Sequence, residues 1–284
     1  MKIIIGYPPT NSPKGLALLS QNRQFQWFSH ETRMFPVVLA GAATMARQAG
    51  HQVIWKDAIA ENLDQVSFLD FLRREKPDLF LFETKTPVVR RHWQTAQALK
   101  AVLPSMRLAV CGDHVTALPE ETLRKSPVDF VICGGDYDFQ LRDLLAHLTG
   151  GAPLPKGILY RQNGQITGDK HFELNHNLDN APFIDRRLTH WEWYRKEYNL
   201  LGNPFMYIMS GRDCWHGKCT FCSWTTLFPG FRVRSVNNVL DEIGMLIDDF
   251  KVQEIFDDSG TLNTGKWLEN LCAGLREMGY SRKI

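Results

Sequence analysis

The sequence has no long apolar run and no excess of charge of either sign. No stretch reaches the about 18 apolar residues that a membrane-spanning helix needs, and 33 Lys and Arg stand against 31 Asp and Glu. This balance gives no electrostatic reason to expect a nucleic acid partner. The apolar start at 2–6 is too short for a secretion signal and is closed by Pro8 and Pro9. We therefore expect a cytoplasmic protein without a membrane span.

Cysteine is scarce and unevenly placed. The chain has 6 cysteines in 284 residues, and without a secretion signal such a content does not indicate a disulfide framework. Three of them stand alone along the chain. The other three, Cys214, Cys219 and Cys222, are crowded into one short loop. That loop is the one feature that composition does not explain.

Length and periodicity indicate two α/β units. At about 150 residues per domain, 284 residues correspond to about two domains, and 44% hydrophobic with 23% charged residues is ordinary for a globular chain. In the first 150 residues, five apolar segments alternate with helical ones. The predicted strands are 2–7, 51–55, 78–82, 108–111 and 130–133. We predict a doubly wound parallel sheet, flavodoxin-like or Rossmann-like, with strand order 2-1-3-4-5.

The carboxyl ends of these strands are the expected ligand-binding edge, because open α/β sheets bind ligands there. Glycines follow the strands at Gly112 and at Gly134-Gly135. Glycine lets the backbone approach a ligand closely. The alternative is that these glycines only serve tight turns from strand to helix.

After residue 150 the pattern changes. The dipeptide Asn163-Gly164 predicts a hairpin over 157–166, and the aromatic segment 170–203 is interpreted as a linker that packs on both neighbours. Two βα repeats then fill 204–284, which we expect to be an incomplete unit. The predicted divisions are therefore 1–150, 151–203 and 204–284.

The cysteine loop predicts a metal centre. Three thiolates this close can converge on one site, and a [4Fe–4S] cluster that normally takes four cysteines would keep one iron open for a small chelating molecule. A structural zinc site completed by His216 is an alternative, although its spacing is cramped. Arg212 and Lys218 either favour the reduced state of an anionic cluster or are simply solvated charges.

The segment Cys219-Thr220-Phe221-Cys222 resembles the cluster motif of the radical S-adenosylmethionine (SAM) enzymes. The gap before Cys219 has four residues where that family usually has three. Gly112–Glu120 and Asp129–Asp136 resemble loops of the cobalamin-binding domain that is fused to many of these enzymes. The segments 231–235 and 254–258 and the hairpin are similar as well. The chain thus resembles the cobalamin-dependent radical SAM enzymes over nearly its whole length, and we expect it to be truncated within the partial (β/α) barrel.

The resemblance implies three cofactors and their contacts. Cys214, Cys219 and Cys222 would hold a [4Fe–4S] cluster. Phe221, Asp257 and Asp258 would contact SAM; an acidic turn capping the following helix is the alternative for the two aspartates. The implied cobalamin contacts are Thr84, Thr86, Gly112, His114, Thr116, Gly134 and Gly135. A plain polar turn is the alternative for His114 and Thr116. The first strand is not followed by Asp-x-His-x-x-Gly, so no histidine is expected below the cobalt.

The resemblance also implies a function. Reductive cleavage of SAM would give a 5′-deoxyadenosyl radical that takes hydrogen from an unactivated carbon, with cobalamin serving methyl transfer or a radical rearrangement. The implied partners are a small-molecule substrate and an electron donor such as flavodoxin or ferredoxin. A cobalamin-binding carrier or sensor, or a non-catalytic metal-binding module, would fit the incomplete barrel. No catalytic residue is assigned.

Overall fold

The computed structural model describes residues 1–20, 25–194 and 202–284. The strands are β1 (Lys2–Tyr7), β2 (Leu16–Ala17), β3 (Trp27–Phe28), β4 (Gln52–Asp57), β5 (Leu79–Glu83), β6 (Arg107–Cys111), β7 (Phe130–Ile132), β8 (Ile158–Gln162), β9 (Gln165–Gly168), β10 (Phe205–Ile208), β11 (Gly211–Asp213), β12 (Phe231–Val233) and β13 (Glu254–Asp257). The α-helices are α1 (Val37–Gln48), α2 (Gln65–Glu75), α3 (Val89–Val102), α4 (Asp113–Ala117), α5 (Pro119–Lys125), α6 (Tyr137–Gly150), α7 (Trp224–Leu227), α8 (Val236–Phe250) and α9 (Lys266–Glu277).

Five parallel strands make up one side of a seven-stranded sheet, from the edge strand β4 to β7. Its order is β4-β1-β5-β6-β7-β8-β9, so the five predicted strands follow the predicted order 2-1-3-4-5. The central strand β5, with the sequence LFLFE, is buried at every residue because helices cover both faces of the sheet. The predicted α/β class and parallel sheet are therefore confirmed.

The predicted hairpin extends this sheet as its antiparallel edge. Phe130 of β7 is paired with Tyr160 of β8, and Arg161 is paired with Ile166 across the turn. Asn163 and Gly164 both have positive φ, 51° and 78°, as a two-residue hairpin turn requires. The hairpin thus continues the first sheet, and the division at residue 150 stays a prediction.

The segment between the hairpin and β10 contacts both halves of the chain. Tyr194 is buried, and its hydroxyl donates to Asp57 at the end of β4 over 2.7 Å. Trp191 meets the ring of Phe250, at the end of α8, edge to face. Residues 195–201 of the predicted linker lie outside the described residues.

The second half contains the two predicted βα repeats. β10 and β13 pair in parallel, with Phe205 opposite Glu254, and α8 connects them. Ser235 caps α8 by accepting from the backbone N–H of Asn238, as its position in the sequence indicates. The apolar face of α8 packs on Met206 and Ile208 of β10. Among the residues described, no helix is long and apolar enough to cross a membrane.

Candidate functional site

A buried carboxyl group stands at the point where the strand order reverses. Glu83 ends β5, next to β1, and is fully buried. Its Oε2 accepts from the hydroxyls of Tyr7 at 2.8 Å and Tyr137 at 3.3 Å. Burial raises the pKa of Glu83 to about 8, although the nearby Lys85 charge acts against this. Glu83 is therefore mostly neutral at pH 7.

The predicted threonine and histidine contacts form short polar pairs at this edge. Thr84 is buried, and its hydroxyl lies 2.8 Å from Nδ1 of His92, a partner that the sequence did not indicate. Thr86 lies 3.1 Å from Nδ1 of His114, whose other nitrogen is 3.4 Å from Glu121. Burial is the main cause that lowers the pKa of His114. The structure thus brings Thr86 and His114 together.

Thr116 connects the two glycine turns. Its hydroxyl donates to the carbonyl of Gly112 at 2.7 Å and accepts from the backbone N–H of Gly134 at 3.0 Å. His114 and Thr116 lie on the single-turn helix α4 rather than in an irregular loop. The hydroxyl of Thr116 is therefore already used twice within the protein.

The glycines of this edge are required by the protein's own atoms. Gly112 has φ +115°, and a side chain there would clash with the carbonyl of Thr84. At Gly134, with φ +87°, a Cβ would come within 2.5 Å of the ring of Phe172. Gly135 is covered by the ring of Phe228 in the same way. The chain's own backbone and aromatic rings therefore require glycine at all three positions, and contact of these glycines with cobalamin stays a prediction.

The cysteine loop is closed at its base by a short ribbon. β11 and β12 pair antiparallel, and the backbone N–H of Cys214 donates to the carbonyl of Gly230 at 3.0 Å. The N–H of Cys222 donates to the carbonyl of Cys219 at 3.2 Å. Cys214 and Cys222 pack against the buried residues of α7 and against Phe228. All three thiols are free and partly exposed, so they remain accessible to a metal centre.

The three sulfurs are not gathered into a finished metal site. Within 1–20, 25–194 and 202–284, no group of three or more His, Cys, Asp or Glu side chains is arranged to hold a metal ion. His216, the possible fourth zinc ligand, is exposed. The donor set of three free thiols on one loop fits an iron–sulfur cluster chemically, and the loop would have to close around it.

The residues predicted to contact SAM occupy different environments. Phe221 is 76% exposed beside the cysteines. The carboxylate of Asp257 accepts from the backbone N–H of Ser210 at 3.0 Å and from the hydroxyl of Ser259 at 2.6 Å. It thereby ties the end of β10 to the end of β13. Asp258 is buried.

The aspartates do not act as a cap for the last helix. The cap position of α9 is Gly265, and the described residues provide no side-chain hydrogen bond there. The alternative interpretation of this acidic turn is therefore not what the structure shows. The role of Asp257 and Asp258 toward SAM stays a prediction.

A network of buried ion pairs joins the two halves, and the sequence did not indicate it. Asp136, directly after Gly135, pairs with Arg212 at 2.9 Å and with Arg232 at 2.7 Å. Nδ1 of His176 lies 2.9 Å from the same carboxylate. Asp138 accepts from two nitrogens of the Arg212 guanidinium, one of them at 2.9 Å. Arg212 thus faces two aspartates and is not a solvated charge, whereas its effect on the reduced state of a cluster stays a prediction.

The electrostatics of this network favour the charged forms. Burial alone would raise the pKa of Asp136, but Arg212, His176 and Arg232 hold it well below its usual range. Burial alone would lower the pKa of Arg212, but Asp138 and Asp136 raise it further above its usual value. Both shifts favour the charged forms of Asp136 and Arg212.

Cavities of different size lie along this side of the molecule. One of about 440 Å³ opens beside the ends of β1 and β4, and its lining includes Thr10, Asn11, His30 and Asn62. It is formed by none of the seven predicted cobalamin contacts. A smaller one of about 50 Å³ lies at the junction of the two halves.

Comparison with known protein families and sequences finds similarity to a cobalamin-binding domain and to two groups of enzymes. Residues 29–138 match the family described as B12 binding domain. The chain is 28% identical over 269 residues to an uncharacterized methyltransferase, PH0819, of Pyrococcus horikoshii, covering 93% of this chain and 54% of the relative. It is 23% identical to the anaerobic magnesium-protoporphyrin IX monomethyl ester cyclase of Cereibacter sphaeroides, covering 87% of this chain and 40% of that protein. The chain therefore spans about half the length of these relatives or less.

Solved structures share the fold at low sequence identity. The cobalamin-dependent SAM radical enzyme OxsB, with aqua-cobalamin and SAM bound, superposes with a TM-score of 0.69 at 16% identity, over 87% of this chain and 35% of OxsB. The radical SAM methyltransferase TsrM of Kitasatospora setae, with cobalamin and a [4Fe–4S] cluster bound, gives 0.67 at 14% identity, over 99% of this chain and 51% of TsrM.

Proposed function

We propose that this chain binds cobalamin, a [4Fe–4S] cluster and SAM for radical chemistry on a small molecule. The proposal starts from a chain that combines a B12-binding domain with the fold of the cobalamin-dependent radical SAM enzymes. One observation carries this proposal: the cysteine loop rests directly on the carboxyl edge of the B12-binding sheet. The backbone N–H of Gly135 donates to the carbonyl of Leu227 at 2.8 Å, and Arg212 pairs with Asp136. An enzyme that uses both cofactors on one substrate needs this adjacency.

The cysteine loop supplies the donors for the cluster. Cys214, Cys219 and Cys222 would be its thiolate ligands, and one iron would stay open for SAM. When bound, the cofactors would supply reductive cleavage of SAM and transfer of a methyl group or a radical. Phe221, exposed beside Cys222, would contact the adenine. Asp257 would accept from the SAM amino group at Oδ2, which accepts from the hydroxyl of Ser210 and can take a second donor.

The cobalamin contacts would come from the ends of β5, β6 and β7. Thr86 is exposed after β5. His114, which lies after the neighbouring strand β6, is within hydrogen-bond distance of it. Thr84, Thr116 and the three glycines would shape the edge through backbone groups rather than free hydroxyls. Glu83, mostly neutral at pH 7, would keep the floor of the edge free of negative charge.

The reaction we propose is methyl transfer to, or radical rearrangement of, an unactivated carbon. The relatives include a protein named as a methyltransferase and a cyclase, which fits both outcomes. An electron donor such as flavodoxin or ferredoxin would reduce the cluster.

The test is metal and sulfide analysis of protein reconstituted without oxygen. We expect about four iron and four sulfide per chain, and one bound cobalamin. Replacing Cys214, Cys219 and Cys222 together by alanine should remove the iron and leave cobalamin bound. Cys272→Ala is the matched control, because Cys272 is partly exposed and lies on α9, away from the loop. Iron and brown colour retained by the triple variant would overturn the cluster assignment.

A second candidate is a cobalamin-binding carrier or sensor, which the match of residues 29–138 to the B12 binding domain supports without the cysteine loop. It predicts bound cobalamin without iron or sulfide, whereas a metal-binding module predicts one zinc and no sulfide. Adding SAM to the reduced protein separates the cases further. A change in the EPR spectrum supports the enzyme, and an unchanged or absent cluster signal supports the carrier.

A further inference from the structure

The buried ion pairs at the junction involve two acids of one turn and two arginines of one ribbon. We call Asp136, Asp138, Arg212 and Arg232 the clasp. We propose that the clasp couples the two cofactor sites, so that cobalamin binding at the β7 turn and cluster assembly on the cysteine loop strengthen each other. This inference rests on the proposed function, and it assigns Arg212 and Asp138 as positioning residues.

The acidic half of the clasp belongs to the predicted cobalamin edge. Asp136 and Asp138 follow Gly134-Gly135 at the end of β7, and both are 1% exposed. The four donors on Asp136 come from Arg212, Arg232 and His176, so its carboxylate cannot shift without breaking several bonds. A ligand that contacts this turn therefore also acts on the two arginines.

The basic half of the clasp belongs to the two ends of the cysteine loop. Arg212 lies two residues before Cys214, and Arg232 lies on the strand that leaves the loop. The two arginines are paired across the β11–β12 ribbon. Both ends of the loop are thereby held to one turn of the other half.

Two backbone and ring contacts reinforce the same turn. Gly135 donates to the carbonyl of Leu227, at the end of α7, over 2.8 Å, and the ring of Phe228 covers Gly135. The turn after β7 is therefore contacted by the entry, the exit and the short helix of the cysteine segment.

Coupling follows from the state of the loop. Among the described residues its three sulfurs are not arranged to hold a metal ion, so cluster assembly must move the loop, whose two ends the clasp holds to the turn. Cobalamin bound at the turn and a cluster bound on the loop would then favour the same arrangement of the clasp. By linkage, the cluster must then tighten cobalamin binding by the same factor.

The experiment is a binding cycle on the full chain. The dissociation constant of hydroxocobalamin is measured without oxygen for cluster-free and cluster-loaded protein. We expect the loaded form to bind about 10-fold more tightly, in the usual range of coupling between sites. The reciprocal measurement, iron release to a chelator with and without cobalamin, should show slower release when cobalamin is present.

Asp138→Asn is the main variant, because it keeps the shape of the side chain and removes one charge from the pair with Arg212. We expect this variant to bind both cofactors. The ratio of its cobalamin dissociation constants, cluster-free over cluster-loaded, should approach one. Asp138→Glu, which keeps the charge, should restore part of the ratio. Glu242→Gln is the matched control, since Glu242 is a buried acid paired with Arg186 and lies outside the clasp; its ratio should stay near that of the wild type.

The outcomes separate the two proposals. A wild-type ratio of one, or a ratio that Asp138→Asn leaves unchanged, would overturn the coupling while the cofactor assignment stands. A wild-type protein that binds no iron or no cobalamin would overturn the proposed function and this inference with it. The wild-type ratio needs no variant, so the test does not depend on whether each variant folds.

Discussion

The buried carboxyl group of Glu83 makes the stability of the fold depend on pH in a definite direction. Burial raises its pKa from 4.5 to about 8, although the charge of Lys85 and the hydrogen bond from Tyr7 act the other way. Between these two pH values the native state holds a proton that the unfolded chain has released. The free energy of unfolding therefore falls as the pH rises through this window, and the contribution is fully present only below it.

The size of the effect follows from the shift. Each pH unit inside the window removes about 1.4 kcal/mol, so going from about pH 5 to about pH 7.5 costs about 3 kcal/mol. Glu83→Gln cannot release a proton and keeps an oxygen that accepts from Tyr7 and Tyr137. Relative to this variant, the wild type should lose about 3 kcal/mol over that range. Asp57 and His92 are buried titrating groups too, but they are present in both proteins and cancel in the difference.

The assay is urea unfolding followed by tryptophan fluorescence at several pH values between these limits. Glu75→Gln, which removes a partly exposed acid on α2, is the control and should follow the wild-type curve. Parallel curves for the wild type and Glu83→Gln would refute the argument, because they would mean that Glu83 is ionised in the native state.

Three further substitutions test the local reasoning by the same unfolding assay. Ser235→Ala should cost about 1 kcal/mol through the lost cap of α8 and leave the m-value unchanged. Gly112→Ala should cost more than about 1 kcal/mol, because φ is +115° and the new methyl group meets the carbonyl of Thr84; a neutral result would contradict the described turn. Tyr194→Phe removes the donor to Asp57 and should cost about 1–3 kcal/mol while raising the pKa of Asp57 above its value of about 6, which an NMR titration would detect.

The sheet was predictable because its signals are local. The sequence of β5 is apolar on both faces, as expected for a strand that is covered on both sides. Asn163-Gly164 is a recognisable turn signal because the turn needs two residues with positive φ. The start of a helix is harder to predict than a buried strand. α2 begins at Gln65, three residues before its first buried apolar residue, Phe68, because Asp64 caps it by accepting from the N–H of Ser67. Its first turn carries little apolar periodicity, so the cap marks its start in the sequence.

The clasp was not predictable because its partners are far apart in sequence. Asp136 and Arg212 are separated by 76 positions, and neither lies in an apolar pattern that would mark it as buried. A weak signal did exist: Arg232 stands between the apolar Phe231 and Val233 in a short strand, which places it on the face opposite to these two residues. The glycines were ambiguous for another reason. A glycine that makes room for a ligand cannot be distinguished in the sequence from one that makes room for the ring of Phe172 or Phe228.

Net stability alone does not explain why the junction uses ions. Buried ion pairs often contribute no more than apolar residues of similar volume, since removing charges from water offsets most of their attraction. The junction already has apolar contacts, with Phe228 packed on Gly135. What the pair of Arg212 with Asp138 adds is direction, because two parallel N–H···O bonds fix the guanidinium plane in a way that ring packing does not. A directional contact two residues before Cys214 is therefore better suited to orient the cysteine loop than to hold the halves together.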